Sequence, residues 1–351
     1  MSRPGPSPPP PHRPPGRRAA ARRPESIGSA CMSTGEKFIQ MVIAIAVFFA
    51  VVAVILLLTQ RLRSRRGELV QSAAFVLPAI ALIGVGLLYP AVTTIYQSFL
   101  DRTGDAGVGF DNYKTIFTDA DQLIVLRNTA AWVILVPILS TVIGLVYAVL
   151  VDRSRFEKVA KALIFLPMAI SLVGASIIWR FVYDYHDKSQ TQIGIANAVL
   201  KGLGFDTYKF ILNDPWNTVF LIVVMIWVQA GFAMVILSAS IKAIPDDIVE
   251  AARLDGVGGF RMFRYITVPS IRPSLIVVLT TISITTLKAF DIVRTMTGGN
   301  FDTSVLAYQF YREYFVSANQ GLATAIATLI FVLVMPIVIY NVRQMRKLEA
   351  R

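Results

Sequence analysis

The sequence predicts an all-α polytopic membrane protein with about seven transmembrane helices, and three observations predict it. Seven apolar runs are long enough to cross a bilayer. The composition is 55% hydrophobic and only 16% charged, where soluble domains are roughly 45–50% apolar. Lysine and arginine gather at the ends of the apolar runs, as they do when they set membrane orientation.

The runs occupy residues 39–58, 73–92, 129–151, 162–179, 219–239, 275–292 and 323–340. Each approaches the roughly 20 residues that a helix needs to cross the hydrocarbon while satisfying its own backbone groups. The sixth is the weakest, because Lys288 and Asp291 interrupt it. An uncompensated charge at mid-bilayer costs about 2.5–3.5 kcal/mol. The spacing of three predicts an ion pair on one helical face, placed toward the outer end where the lysine can snorkel.

Orientation follows from the connections. "TQRLRSRRGELVQS" carries four Lys or Arg in 14 residues, "DRSRFEKVAK" four in 10, and the end "NVRQMRKLEAR" four in 11. These read as cytoplasmic. Residues 93–128, 180–218 and 293–322 carry three in 36, four in 39 and two in 30, and read as external. This parity puts the N-terminus outside and the C-terminus in the cytoplasm. Residues 1–31 contain six arginines, which conflicts with an external start, and one resolution is that translation begins at Met32. Proline takes nine of the first 24 positions, so this tail predicts disorder. The expected organisation is a Pro/Arg-rich tail over 1–38, a first span with its basic loop over 39–72, a transmembrane domain over 73–342, and a basic tail over 343–351.

Several function classes drop out. Cys31 is the only cysteine, and the histidines, His12 and His186, are far apart in sequence, so no metal site or His-based catalytic cluster is expected. The net charge of +12 lies at span ends and points to membrane orientation, with no nucleic-acid partner. No G-x-x-x-x-G-K-[ST] phosphate loop occurs, so the chain is not itself an ATPase. The expectation is a non-enzyme that binds no cofactor of its own.

Between the fifth and sixth spans lies "IPDDIVEAARLDGVGGFRMFRYITVPSIRP", polar and basic, within a cytoplasmic loop over 242–273. Pro245 suits a first helical turn, and Asp246 or Asp247 can cap it. A short helix is predicted from Asp246 to Leu254. Gly256, Gly258 and Gly259 then permit a sharp break, and "FRMFRYIT" resumes a helix until Val268–Pro269 ends it.

The order "EAARLDG", with glycine six residues after Glu250, followed by "ITVP" from Ile266 to Pro269, resembles the EAA loop of ABC-importer permeases. Val268 stands where that loop usually has leucine. "FDNYKTIF", "ALIFLPMAIS", "IIWRFVYDY" and "AFDIVRTMTGGNFDTSVLAYQFYREYF" extend the resemblance to the carbohydrate branch, the maltose-type permeases, and within it to α-glucoside permeases. The likeness runs from Ser72 to Lys347. It implies the maltose-type permease fold in a prokaryotic cytoplasmic (inner) membrane. It also implies a loop that couples to a separate ATPase through Glu250, Ala251, Ala252, Asp255, Gly256, Ile266 and Pro269. The implied partners are ATPase subunits that bind ATP and Mg, a second permease subunit, an extracytoplasmic sugar-binding protein, and an α-glucoside or oligosaccharide substrate.

A sugar crossing the bilayer needs hydrogen-bonding groups beside flat apolar faces. Trp227 and Gln229 in the fifth run, with Thr281 and Thr285 in the sixth, are the candidate contacts. The competing reading gives each hydroxyl a structural role, bonded back to its own helix or to a neighbour. An ion-coupled secondary transporter is the alternative function, and Lys288 and Asp291 are nearly all it has to work with.

Overall fold

The computed structural model describes residues 76–349 apart from 153–154 and 188–191, together with isolated helical positions between 39 and 53. The tail over 1–38 and most of the first apolar run lie outside the described residues. The chain divides into two units, Met1–Ile83 and Gly84–Arg351.

Among the described residues the named elements are all helical. Helix α1 is Val76–Gln97. It is followed by α2 (Asp111–Thr118), α3 (Ala120–Val151), α4 (Glu157–Phe165), α5 (Leu172–Val182), α6 (Ile195–Gly202) and α7 (Trp216–Lys242). Then come α8 (Asp246–Leu254), α9 (Gly259–Ser270), α10 (Arg272–Leu287), α11 (Asp291–Met296), α12 (Leu306–Tyr311) and α13 (Gln320–Glu349). Helices α1, α3, α7 and α13 are long and apolar enough to cross a membrane outright, and the count reaches six if each of two bent pairs is a span. This is the polytopic all-α architecture that the apolar runs predict.

The bends correct two of the expected spans. Helix α4 with its 3₁₀ extension ends at Ala169, and α5 leaves at 101°. Pro167 lies in the 3₁₀ turn, Ile170 is extended, and Ser171 caps α5 by accepting from the Gly174 N–H. The run over 162–179 therefore contains a helix stop and a helix start that mean hydropathy does not register. The sixth span begins at Arg272, bent by 68° from α9, and ends at Leu287 instead of residue 292. Lys288 is the C-cap of α10 and Asp291 opens α11. The two charges lie on different helices, so the spacing of three no longer aligns them, and no ion pair forms between them.

Helix α7 is the inner one. Of its most apolar window 61% is buried, against 33% for α3 and for α13. Trp132 and Val136 of α3, Leu221, Met225 and Met234 of α7, and Val278 and Ile282 of α10 form one buried cluster. A second cluster joins α2, α3, α12 and α13 through Ile116, Val125, Leu306 and Ile326. The turn after α1 is closed by Asp101, whose carboxylate accepts from Thr103 and from the N–H groups of Gly104, Asp105 and Ala106. These donors, chiefly Asp105 and then Ala106, hold that carboxyl below its ordinary range.

Candidate functional site

The loop between α7 and α10 folds from local rules. Helix α8 has Asp246 and Asp247 in its first turn and Arg253 in its last, the charge order that complements the helix dipole. Neither aspartate caps by a hydrogen bond, however. Pro245 is the N-cap, and both acids fall inside the helix. At the other end Asp255 is the C-cap. Gly256 has φ +73°, its N–H donates to the Arg253 carbonyl, and the Val257 N–H donates to the Ala252 carbonyl. This is a Schellman stop, whose left-handed residue is normally glycine. The glycine six residues after Glu250 is thus the residue that ends α8. Gly258 and Gly259 keep negative or ordinary φ.

Helix α9 does not stop at Val268–Pro269. It passes through a π-helical stretch, Phe263–Thr267, and continues to Ser270. Pro269 has no N–H to offer the Tyr265 carbonyl, and the Val268 N–H reaches back to the Phe263 carbonyl. Ile271, buried in the main cluster, sits at the bend into α10 and ties the loop to the membrane core.

One face of α8 is open. Asp246, Val249, Glu250, Arg253 and Leu254 line a surface hollow of 510 Å³. Ala251, Asp255, Gly256 and Pro269 are exposed, Ile266 is half-buried, and Ala252 is turned inward. Large apolar groups are left in solvent here, with Leu254 83%, Phe260 77% and Tyr265 70% exposed. Periodicity groups Phe260 with Phe263 and Ile266 on one face of α9 and so assigns it inward, yet it is exposed; Leu254 ends α8, and Tyr265 lies within the π-helical stretch of α9.

A second feature has no signature in the sequence. Lys161 donates to Asp152, to Ser238 and, at 2.9 Å, to Glu157, while Lys242 donates to Glu157. Ser238 donates to Asp152 at 2.6 Å. This clamp joins the ends of α3 and α7 to the start of α4, at the point where α7 leaves for the loop. The Asp152 side chain is 10% exposed and its Oδ2 is buried without a hydrogen-bond partner among the described residues. Asp152→Asn leaves Lys161 only the Glu157 carboxylate, which it shares with Lys242, and we expect it to destabilise the protein by on the order of 2 kcal/mol. A lowered thermal unfolding midpoint in detergent checks this, and an unchanged midpoint refutes it.

The candidate pathway residues do not form one group. Trp227 and Gln229 are two apart on α7, about 200° around the helix, and so point in opposite directions. Trp227 packs edge-on to Trp179 at 5.6 Å and lines a 420 Å³ cavity with Tyr147 and Pro167. Gln229 is only 8% exposed, and its side-chain amide makes no hydrogen bond within the described residues. Thr281 is exposed, and the Thr285 hydroxyl donates to the Thr281 carbonyl at 2.9 Å. Thr280, Ser283 and Thr286 also bond back to α10 carbonyls. The hydroxyls of this helix largely serve the helix. Among the described residues no group of three His, Cys, Asp or Glu side chains is placed to hold a metal.

Residues 140–347 match the family described as "Binding-protein-dependent transport system inner membrane component". The osmoprotective compounds uptake permease protein GgtC of Synechocystis is 45% identical over 275 residues, 78% of this chain and 99% of the relative. The alpha-glucoside transport system permease protein AglF of Rhizobium meliloti is 43% identical over 270 residues, 77% of this chain and 80% of the relative. Among solved structures, a chain of a bacterial ABC transporter that imports the acidic polysaccharide alginate superposes with a TM-score of 0.69 at 22% identity, covering 81% of this chain and 99% of that one. That likeness carries the fold. With its polytopic helices and a match over more than half its length, the chain belongs to the binding-protein-dependent transport family, as a non-catalytic, multi-pass inner-membrane permease subunit of an ABC importer.

Proposed function

We propose that this permease forms half of the translocation pathway for a small carbohydrate, an α-glucoside or oligosaccharide, or for an osmoprotective compound, and that α8 and α9 dock into a separate ATPase. The open face of α8 carries the reading. Two loop helices outside the spans that leave Glu250 and Leu254 of α8 and Phe260 of α9 in solvent have their contact surface on another protein. Glu250 supplies a charge for pairing, Leu254 and Phe260 supply apolar area, and the stop at Asp255–Gly256 turns the chain back toward Ile266, Pro269 and the core.

ATP and Mg then belong to the partner, a second permease completes the pathway, and an extracytoplasmic binding protein delivers solute to the side bearing residues 93–128, 180–218 and 293–322. The N-terminus lies outside and the C-terminus in the cytoplasm. The names of the two relatives support the substrate classes. The ion-coupled alternative loses its main feature with the separation of Lys288 from Asp291.

Purification of the intact complex, followed by a screen of α-glucosides, oligosaccharides and osmoprotective compounds for stimulation of ATP hydrolysis, tests the proposal. Uptake that runs on an ion gradient without ATP would sink it. Gln229 is the residue to change first in the pathway, since a buried amide without a partner among the described residues has hydrogen bonds to offer a solute. Gln229→Ala is expected to weaken solute-stimulated transport severalfold with assembly on the ATPase intact. Unchanged kinetics at normal abundance would make it a structural residue.

A further inference from the structure

At the end of α3 remote from the clamp, a polar pocket of 290 Å³ opens between Asp119, Asp121 and Gln122 on one side and Asp302, Arg312 and Glu313 on the other. Four carboxylates face one guanidinium. Gln122 is 5% exposed, and its Oε1 is buried with no hydrogen-bond partner among the described residues. The donors of Ser304, Gln309 and Asn128 are already engaged. Ser304 Oγ donates to Gln309 Oε1 at 3.2 Å, Gln309 Nε2 to Glu313 at 2.9 Å, and Asn128 Nδ2 to the carbonyls of Asp302 and Ser304. With four carboxylates against the single guanidinium of Arg312, the charge of the pocket favours a cation.

Other occupants fit less well. An anion at the α3 N-terminus is forestalled by Asp119, whose Oδ1 already accepts from the Asp121 and Gln122 N–H groups at 3.1 Å. No three ligating side chains among the described residues converge for a metal ion. The rim is held in place: Phe301 and Asp302 have φ of 56° and 57°, a left-handed conformation that Asn217 and Asn128 secure by donating to the carbonyls of Phe301 and Asp302. A rigid acidic socket with a buried unpaired acceptor matches a long side chain ending in N–H donors.

We propose that this pocket is the socket for a lysine or arginine side chain of the extracytoplasmic binding protein. The inference rests on the importer reading, which puts residues 93–128 and 293–322 on the side where that protein docks. The socket gives the permease a charge-steered contact separate from the solute path.

The test uses the whole importer in nanodiscs, with its own solute-loaded binding protein as the probe. Asp121 is exposed, and asparagine is well tolerated at the left-handed Asp302, so the Asp121→Asn/Asp302→Asn pair should fold. We expect its Kd for the binding protein to rise about tenfold at low salt, with a flatter salt dependence and unchanged basal ATP hydrolysis. Gln122→Leu, close in shape, should raise Kd severalfold without altering the salt dependence. Parental Kd and salt dependence in the double variant would overturn the socket, as would full affinity in Gln122→Leu. Failure of the importer reading looks different: the parental complex itself would show no stimulation by the binding protein.

Discussion

Glu250→Lys and Gly256→Val are each expected to lower solute uptake tenfold or more while the chain inserts at parental abundance. The two changes act on one surface by different physics. Glu250 is exposed on α8, so reversing its charge leaves the fold of this chain alone and alters only what a partner meets. A Cβ at Gly256 would point into open space, with nothing within 4 Å, so valine there does not clash. The cost comes from φ of +73°, where a β-branched residue is a genuine outlier and about 1–2 kcal/mol or more is lost. The Schellman stop then opens, and α9 no longer returns to Ile271 at the same angle. Gly256→Asn, which tolerates the left-handed region, should keep most activity. Co-purification of the ATPase together with uptake in matched membranes is the measurement. Parental transport with the ATPase bound in both Glu250→Lys and Gly256→Val would defeat the docking assignment.

Gly231→Ala is expected to remove most of the folded protein. Helix α7 passes so close to the last turn of α4 that a Cβ at Gly231 would lie 2.5 Å from the Ile164 carbonyl oxygen and 3.1 Å from the Phe165 Cα. Both are backbone atoms with no rotamer to change. Gly144 makes the matching approach on the other side, 2.4 Å from the Ala233 Cβ and 2.8 Å from the Met234 nitrogen. Overpacking usually costs about 1–3 kcal/mol, and the upper end or beyond applies where backbone is the obstacle. Gly202→Ala is the control, because nothing lies within 4 Å of its Cβ position. The check is the fraction of monodisperse protein after solubilisation and mild heating. Equal fractions in Gly231→Ala and Gly202→Ala would show that the helices can separate at little cost.

Two kinds of information separate cleanly in this protein. The second, third, fifth and seventh apolar runs and helix α8 were legible in the sequence alone, because their causes are local: a bilayer obliges each apolar run to satisfy its own backbone, and Pro245 and Gly256 suit the start and the stop of a helix. The EAARLDG spacing was legible for the same reason. Tertiary structure decided the rest. It broke the fourth span at Ile170–Ser171, moved Lys288 and Asp291 onto different helices, turned Ala252 inward and Leu254 outward, and left Gln229 without a partner among the described residues. The clamp shows why such features are invisible in one dimension. Asp152 and Ser238 are 86 positions apart, and nothing in either neighbourhood marks the pair. Their contact depends on where α3 and α7 end when packed at Gly144, and that distance exists only once the helices have met.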